Sequence, residues 1–147
     1  MAMTRSLGID LGLKRVGVAI AGEAGLLASP LCVLPYEGQD KLAASLVEIA
    51  RQNEVGLFVV GLPRNMDGSM GDGAKRAVRF ARKLEKLSGM PVVLCDERLT
   101  TSQAEKEMIA LGKSRRSRRM TIDEAAAVLI LENYLRRKTL EGQSEGQ

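Results

Sequence analysis

The sequence predicts an α/β fold in which a five-stranded mixed sheet, with three antiparallel strands followed by two parallel ones, is flanked by helices. Strand-like segments joined by short turns open the chain, and helix-spaced apolar residues then alternate with short aliphatic runs. Strand–helix–strand units of this kind form right-handed crossovers between parallel strands. The 147 residues, 45% of them hydrophobic, suit one domain with its own core. We expect this domain to span residues 1–138 and residues 139–147 to form a disordered tail.

The first three strands are predicted to be antiparallel. Residues 6–11 have the pattern of a strand, 12–15 of a tight turn, and 16–21 of the hairpin partner, in which aliphatic side chains occupy every second position. Residues 30–34 form a third short aliphatic segment flanked by prolines. Because proline cannot donate a hydrogen bond to a neighbouring strand, we expect this strand at an edge of the sheet.

Helices and strands alternate in the middle of the chain. Apolar residues at helical spacing predict helices over residues 40–53 and 74–87. Short apolar runs predict strands over residues 55–60 and 91–95, the first of them suited to burial on both faces. Gly89 stands where a residue in the left-handed conformation would end the second helix.

Capping boxes predict two further helices. A serine or threonine followed three residues later by glutamate satisfies the free N–H groups at the start of a helix. Ser102 with Glu105 predicts a helix that extends to about Leu111, and Thr121 with Glu124 predicts the last helix.

The composition excludes several classes of function. The chain has no histidine, which rules out histidine-based nucleophile pairs, acid–base pairs and the usual zinc sites. Cys32 and Cys95 lie in predicted strands and form no C-x-x-C pair, so we expect both to be reduced and buried. No segment has the pattern of a membrane span or a signal peptide, so we expect a cytoplasmic protein without a membrane partner. The net charge of +4 favours anionic partners such as nucleic acid.

Three acidic residues form the candidate site. Asp10 interrupts an apolar strand, where a charge is costly unless it is paired or binds a metal ion. Glu97 follows the fifth strand, at the edge where α/β sheets usually bind ligands, and Asp123 begins the last helix. Asp96 is an alternative to Glu97, and the alternation of the strand does not choose between them. Carboxylates suit Mg²⁺, which can activate water for phosphodiester hydrolysis without histidine.

Each acid also has a purely structural explanation. Asp10 could be a hydrogen-bonded turn residue, Glu97 could pair with Arg98, and Asp123 could complement the helix dipole. The joint occurrence of all three at the ends of predicted elements favours a common site.

Basic residues lie near these acids in the sequence. Lys14 and Arg15 occupy the first turn, and residues 113–119 carry five positive charges just before the last helix. Such residues are often merely solvated, but their position favours contact with phosphate. The glycine-rich segment 61–73 is either a mobile cover over the site or a flexible connection with no role. The residues expected to contact substrate are Lys14, Arg15, Arg98, Arg115, Arg116, Arg118 and Arg119.

Four motifs resemble one known family when taken in order. They are GIDLGLKRVGVAI at 8–20, GLPRNMDGSMG at 61–71, DERLTT at 96–101 and IDEAAAVLILENYL at 122–135. Together they resemble the YqgF/RuvX family, whose members have an RNase H-like fold related to Holliday-junction resolvases. The motifs span nearly the whole chain.

The resemblance implies a metal-dependent nuclease, proposed for this family to trim precursor 16S ribosomal RNA. It implies Asp10, Glu97 and Asp123 as both catalytic residues and ligands of Mg²⁺ or Mn²⁺. One departure is Ala21-Gly22, where we would expect a small polar residue followed by an acid. This departure lies away from the three acids.

Several functions compete at this stage. We expect a nuclease acting on structured RNA, with ribosomal precursor particles as partners, and a monomer or homodimer. The alternatives are a DNA endonuclease of the Holliday-junction type and a nucleic-acid-binding ribosome-assembly factor without catalysis of its own. A sugar-kinase or actin-like unit would need a second related domain, for which this chain is too short.

Overall fold

Five strands and three helices make up the part of the chain that the computed structural model describes. That part comprises residues 5–22, 27–97 and 121–145, of which 140–145 are described as backbone alone. The elements are β1 (Arg5–Leu11), β2 (Arg15–Ala21), β3 (Ala28–Pro35), α1 (Gln39–Gln52), β4 (Val55–Leu62), α2 (Asp72–Ser88), β5 (Val92–Asp96) and α3 (Ile122–Glu145).

The strands form one mixed sheet in the order β3-β2-β1-β4-β5. β2 pairs antiparallel with both β1 and β3, whereas β4 pairs parallel with both β1 and β5. This arrangement confirms the predicted sheet of three antiparallel and two parallel strands. β3 lies at an edge, as its prolines predicted, although it is longer than the predicted segment 30–34 and also includes Pro35. An edge strand tolerates proline because one of its sides has no neighbouring strand, so the missing backbone N–H of proline costs no hydrogen bond there.

The two faces of the sheet carry separate apolar cores. The helices α1 and α2 cover one face, and α3 covers the other. The first core contains Leu7, Ile9, Val16, Val18, Phe58 and Val60 from the strands, and the second contains Ala19, Ala21, Val59 and Cys95. Alternate residues of each strand therefore point to different helices.

Two predicted helix-end signals are observed, a glycine after the last residue of α2 and a capping box at the start of α3. Gly89 follows α2 with φ 71°, and its N–H donates to the carbonyl of Glu85. At the start of α3, the N–H of Glu124 donates to Thr121 Oγ1, and the N–H of Thr121 donates to Glu124 Oε1. The predicted helix that begins at Ser102 lies outside the described residues.

α3 extends further than the sequence predicted. It continues to Glu145, whereas residues 139–147 were expected to form a disordered tail. The segment contains no proline, and once a helix is formed each added residue contributes another backbone hydrogen bond. Residues 139–145 therefore belong to α3 in this structure, and the expected disorder of residues 139–147 stays a prediction.

The cysteines differ in their burial. Cys95 is buried, as predicted, and its burial raises the pKa of the thiol. Cys32 is only partly buried, because it lies on the edge strand β3. Among the helices that the structure describes, none is both long and apolar enough to cross a membrane.

Candidate active site at one edge of the sheet

Asp10 lies near the carboxyl end of the central strand β1, on the face covered by α3. Gly8, two residues earlier and hence on the same face, lies directly under the helix. A Cβ atom at Gly8 would come within 2.8 Å of the carbonyl oxygen of Ala127. Asp10 is only partly buried, so its carboxylate is at the rim of the core rather than inside it.

Gly17 brings the start of α3 close to Asp10. The two residues are cross-strand partners, so their side-chain positions are on the same face of the sheet. A Cβ atom at Gly17 would lie 2.0 Å from the carbonyl oxygen of Asp123. Because no side chain fits in that space, glycine at this position allows the first turn of α3 to rest on the strand pair that carries Asp10.

Glu97 approaches the same face from β5. Cys95 is paired with Gly61 and faces α3, and Glu97 follows two residues later. A Cβ atom at Gly61 would lie 2.8 Å from Glu97 Oε2 and 2.6 Å from Ile130 Cδ1. The carboxylate of Glu97 therefore packs over Gly61, on the strand next to that of Asp10.

Asp96 points to the opposite face. It pairs in register with Leu62, which packs against the core under α1 and α2. Arg64 Nη1 lies 3.6 Å from Asp96 Oδ2, so this carboxylate has a basic partner. The sheet thus separates Asp96 from Asp10 and Glu97.

Arg15 and Asp123 form an ion pair at this edge. The distance between Arg15 Nε and Asp123 Oδ2 is 3.1 Å. The side chain of Arg15 is 69% exposed and that of Asp123 is 29% exposed, so water screens the pair and its contribution to stability is small. The expected contact of Arg15 with substrate stays a prediction, and in this structure Arg15 pairs with one of the three acids.

The other predicted basic contacts divide into two groups. Lys14 is exposed in the turn between β1 and β2, where its carbonyl accepts a hydrogen bond from the N–H of Tyr36. The remaining predicted contacts, Arg98, Arg115, Arg116, Arg118 and Arg119, lie outside the described residues.

The chemistry of the three acids fits a magnesium or manganese ion, since all their donor atoms are oxygens. Within residues 5–22, 27–97 and 121–145, however, no three acidic, cysteine or histidine side chains are grouped closely enough to hold a metal ion. Asp10, Glu97 and the start of α3 thus occupy one face at one edge, while the carboxylate of Asp123 is held by Arg15.

The segment between β4 and α2 has a defined conformation beside this edge. Arg64 donates two hydrogen bonds to the carbonyl of Gly68, and the N–H of Asn65 donates to the carbonyl of Ser69. These bonds close a compact turn that exposes Met66. Whether this segment is a mobile cover or a flexible connection with no role stays a prediction.

Several residues that position the site were missed from the sequence. Gly17 and Gly61 allow the close approaches described above, and a glycine inside a predicted strand is the signal that could have identified them. Arg76 donates to the carbonyls of Leu11 and Gly12, which secures the turn after Asp10. No sequence pattern indicated this role of Arg76.

Comparison with protein families and curated relatives gives consistent matches. A family model described as RuvX, Holliday junction resolvase, matches residues 4–137. A protein of Pelotomaculum thermopropionicum named "Putative pre-16S rRNA nuclease" is 46% identical over 132 residues, which is 89% of this chain and 86% of that protein. A protein of Geobacillus kaustophilus with the same name is 44% identical over 133 residues, or 89% of this chain and 96% of the relative.

Solved structures share the fold at much lower identity. RuvC of T. thermophilus in complex with a Holliday junction substrate superposes with a TM-score of 0.63 and 15% identity, covering 92% of this chain and 96% of that one. The fowlpox virus resolvase in complex with Holliday junction DNA gives a TM-score of 0.60 and 9% identity, covering 91% and 98%. These likenesses confirm the predicted RNase H-like fold.

Proposed function

The chain belongs to the RuvX family and is a nuclease, and we propose that it hydrolyses phosphodiester bonds in structured RNA, with the help of a divalent metal ion, during processing of the 16S ribosomal RNA precursor. Two relatives are named "Putative pre-16S rRNA nuclease", which supports the ribosomal RNA precursor as substrate. The proposal includes a cytoplasmic location and ribosomal precursor particles as partners. The observation that carries it is the approach of Glu97 and the start of α3 to the face of Asp10, through the glycines at 61 and 17.

The acids would act as the metal ligands. Asp10, Glu97 and Asp123 supply oxygen donors, and Mg²⁺ or Mn²⁺ bound there would lower the pKa of a water and stabilise the leaving oxygen. Asp123 would have to exchange its hydrogen bond with Arg15 for this role. Arg15 and Lys14, both exposed beside the acids, would then attract the phosphate of the substrate.

Cleavage should depend on the kind of metal ion supplied. We expect activity with Mg²⁺ or Mn²⁺ and none with Ca²⁺, because the longer bonds and irregular coordination of Ca²⁺ suit the reaction poorly. Purified protein assayed with each chloride salt in turn would show this, and added Ca²⁺ should inhibit the reaction in Mg²⁺. Cleavage that continues undiminished in EDTA would exclude the metal-dependent mechanism.

The preferred substrate is tested by comparing the rates at which the protein cleaves RNA and a DNA junction. At equal Mg²⁺, we expect the protein to cut a precursor 16S ribosomal RNA fragment faster than a mobile four-way DNA junction. Two of the four aromatic side chains, Phe58 and Phe80, are fully buried and cannot stack on unpaired bases. Contacts to the backbone and to the 2′-hydroxyl groups of folded RNA should therefore dominate.

A Holliday-junction endonuclease is the second candidate, and the description of the matching family model favours it. Symmetric resolution of a junction needs two active sites related by a two-fold axis. Paired, symmetric nicks in the junction with the RNA left whole would establish this second function and reject the first. Binding of RNA without cleavage of either substrate would instead support an assembly factor.

A further inference from the structure

The exposed face of α2 carries a line of basic side chains. This line lies outside the acidic edge, by which we mean the end of the sheet where Asp10, Glu97 and Asp123 lie. Lys75, Arg79, Arg82 and Lys86 are all exposed and follow one another at intervals of three or four residues. At about 100° per residue, the four positions fall within about 60° of the helix circumference, and they extend over about 16 Å. We call these four residues the α2 basic stripe.

The charges of the stripe are available to a partner. Two neighbouring basic residues of α2 are engaged within the protein, since Arg76 binds the turn after β1 and Lys83 pairs with Asp40. In contrast, no member of the stripe forms an ion pair with any residue that the structure describes. Much of the stripe borders an open depression of about 760 Å³, whose described lining includes Arg79, Arg82, Lys83, Lys86, Glu85 and Leu87.

The stripe starts next to the acidic edge and leads away from it. α2 begins after the turn that follows β4, at the same end of the sheet as Asp10. Arg76, adjacent in sequence to the first residue of the stripe, donates to the carbonyl of Gly12 at a distance of 2.8 Å. From there α2 runs along the face of the sheet opposite α3.

We propose that the α2 basic stripe binds the sugar–phosphate backbone of the nucleic acid beyond the cleavage position, so that the substrate passes over the edge of the sheet from the acids to α2. This inference rests on the proposed function, because it extends the substrate path of the same site. Along the axis of a DNA duplex each strand carries one phosphate about every 3.4 Å, so the stripe covers the axial length of about five phosphates of one strand.

Other partners fit this surface less well. In a two-fold contact between copies of the chain, the stripe would face itself, and like charges would repel. A membrane-surface helix would need a free apolar face, whereas the apolar side of α2 is buried in the core through Ala77, Phe80 and Leu84. Nucleic acid satisfies the charge without requiring apolar surface.

The test compares two variants in which the same amount of charge is removed. The stripe variant carries Lys75→Gln, Arg79→Gln, Arg82→Gln and Lys86→Gln. The control variant carries Lys41→Gln, Arg51→Gln, Arg136→Gln and Lys138→Gln, all exposed positions on the other two described helices. Circular dichroism checks that both are folded, and the double variant Arg79→Gln with Arg82→Gln replaces the stripe variant if that one unfolds.

Binding to a long RNA duplex is measured by fluorescence anisotropy at several salt concentrations, in Ca²⁺ so that catalysis does not interfere. The stripe variant should bind at least about tenfold more weakly, and the slope of log affinity against log salt should fall by about one for each phosphate that is no longer neutralised. The control variant should keep most of its affinity and most of its slope. Equal reductions in the two variants, or an unchanged slope in the stripe variant, would overturn the proposal.

Two further readouts separate the possible failures. If the stripe variant keeps its affinity for RNA but no longer self-associates in the ultracentrifuge or no longer binds anionic lipid vesicles, the stripe serves that other partner and the proposal is wrong. Cleavage of the same duplex is followed separately in Mg²⁺. A wild-type protein that binds but does not cut would contradict the proposed function, while the binding comparison would still decide the role of the stripe.

Discussion

Replacing any one of Asp10, Glu97 and Asp123 by its amide should reduce cleavage to less than about 1% of the wild-type rate. Loss of a residue that only supports a metal ligand already costs about 10- to 100-fold, so loss of a ligand itself should cost at least the upper value. The changes Asp10→Asn, Glu97→Gln and Asp123→Asn keep side-chain volume and remove only a charge. All three residues are partly exposed, so the thermal midpoint of unfolding should change little.

Asp96→Asn is the matched control for this series. Asp96 is adjacent to Glu97 in sequence but faces the other side of the sheet, where Arg64 is its partner. Its substitution should cost far less activity than that of Glu97. Full activity of any two of the three amide variants, measured with purified protein, would reject the three-acid site.

Gly17→Ala should impair both stability and activity. The new methyl group would lie 2.0 Å from the carbonyl oxygen of Asp123 and 3.2 Å from the backbone nitrogen of Glu124. Because these are backbone atoms, the first turn of α3 has to shift, at a cost of about 1–3 kcal/mol in the free energy of unfolding. The same shift moves Asp123 away from Asp10, so cleavage should fall even at temperatures where the variant is fully folded.

Gly22→Ala provides the control for that substitution. Gly22 lies just after β2, and a Cβ atom there would meet no atom of the described residues within 4 Å. Chemical denaturation and cleavage assays should therefore find Gly22→Ala close to wild type. If Gly17→Ala matched it in both assays, the close packing of α3 on β2 would not be what positions Asp123.

Local patterns were sufficient to predict most of the fold. Alternation within residues 16–21 identified β2, and the capping box of Thr121 and Glu124 identified the start of α3, because each depends on neighbours within a few positions. The bounds of two elements were predicted less accurately than the elements themselves. The edge strand β3 runs from Ala28 to Pro35, beyond the predicted 30–34, and α3 continues past residue 139.

The candidate site was predicted less completely, and Asp96 and Glu97 explain why. Alternation indicates that neighbouring residues of a strand point to opposite faces. It does not tell which face carries the site, since that depends on where α3 packs. The pairing of Cys95 with Gly61 and the contact of Glu97 with Gly61 decide it, and both join segments that are distant in the sequence.

By itself, the sequence determined the order of the elements, the absence of histidine chemistry and the three acids, since these are properties of composition and of short-range spacing. Only the tertiary structure decided which acids share a face, and it revealed the pairing of Arg15 with Asp123, 108 positions apart. It also packed the apolar side of α2 against the sheet, which leaves the α2 basic stripe exposed. Contacts of this kind depend on how helices pack on a sheet, and the packing is set by the small residues at Gly8, Gly17 and Gly61 that let backbones and side chains approach closely.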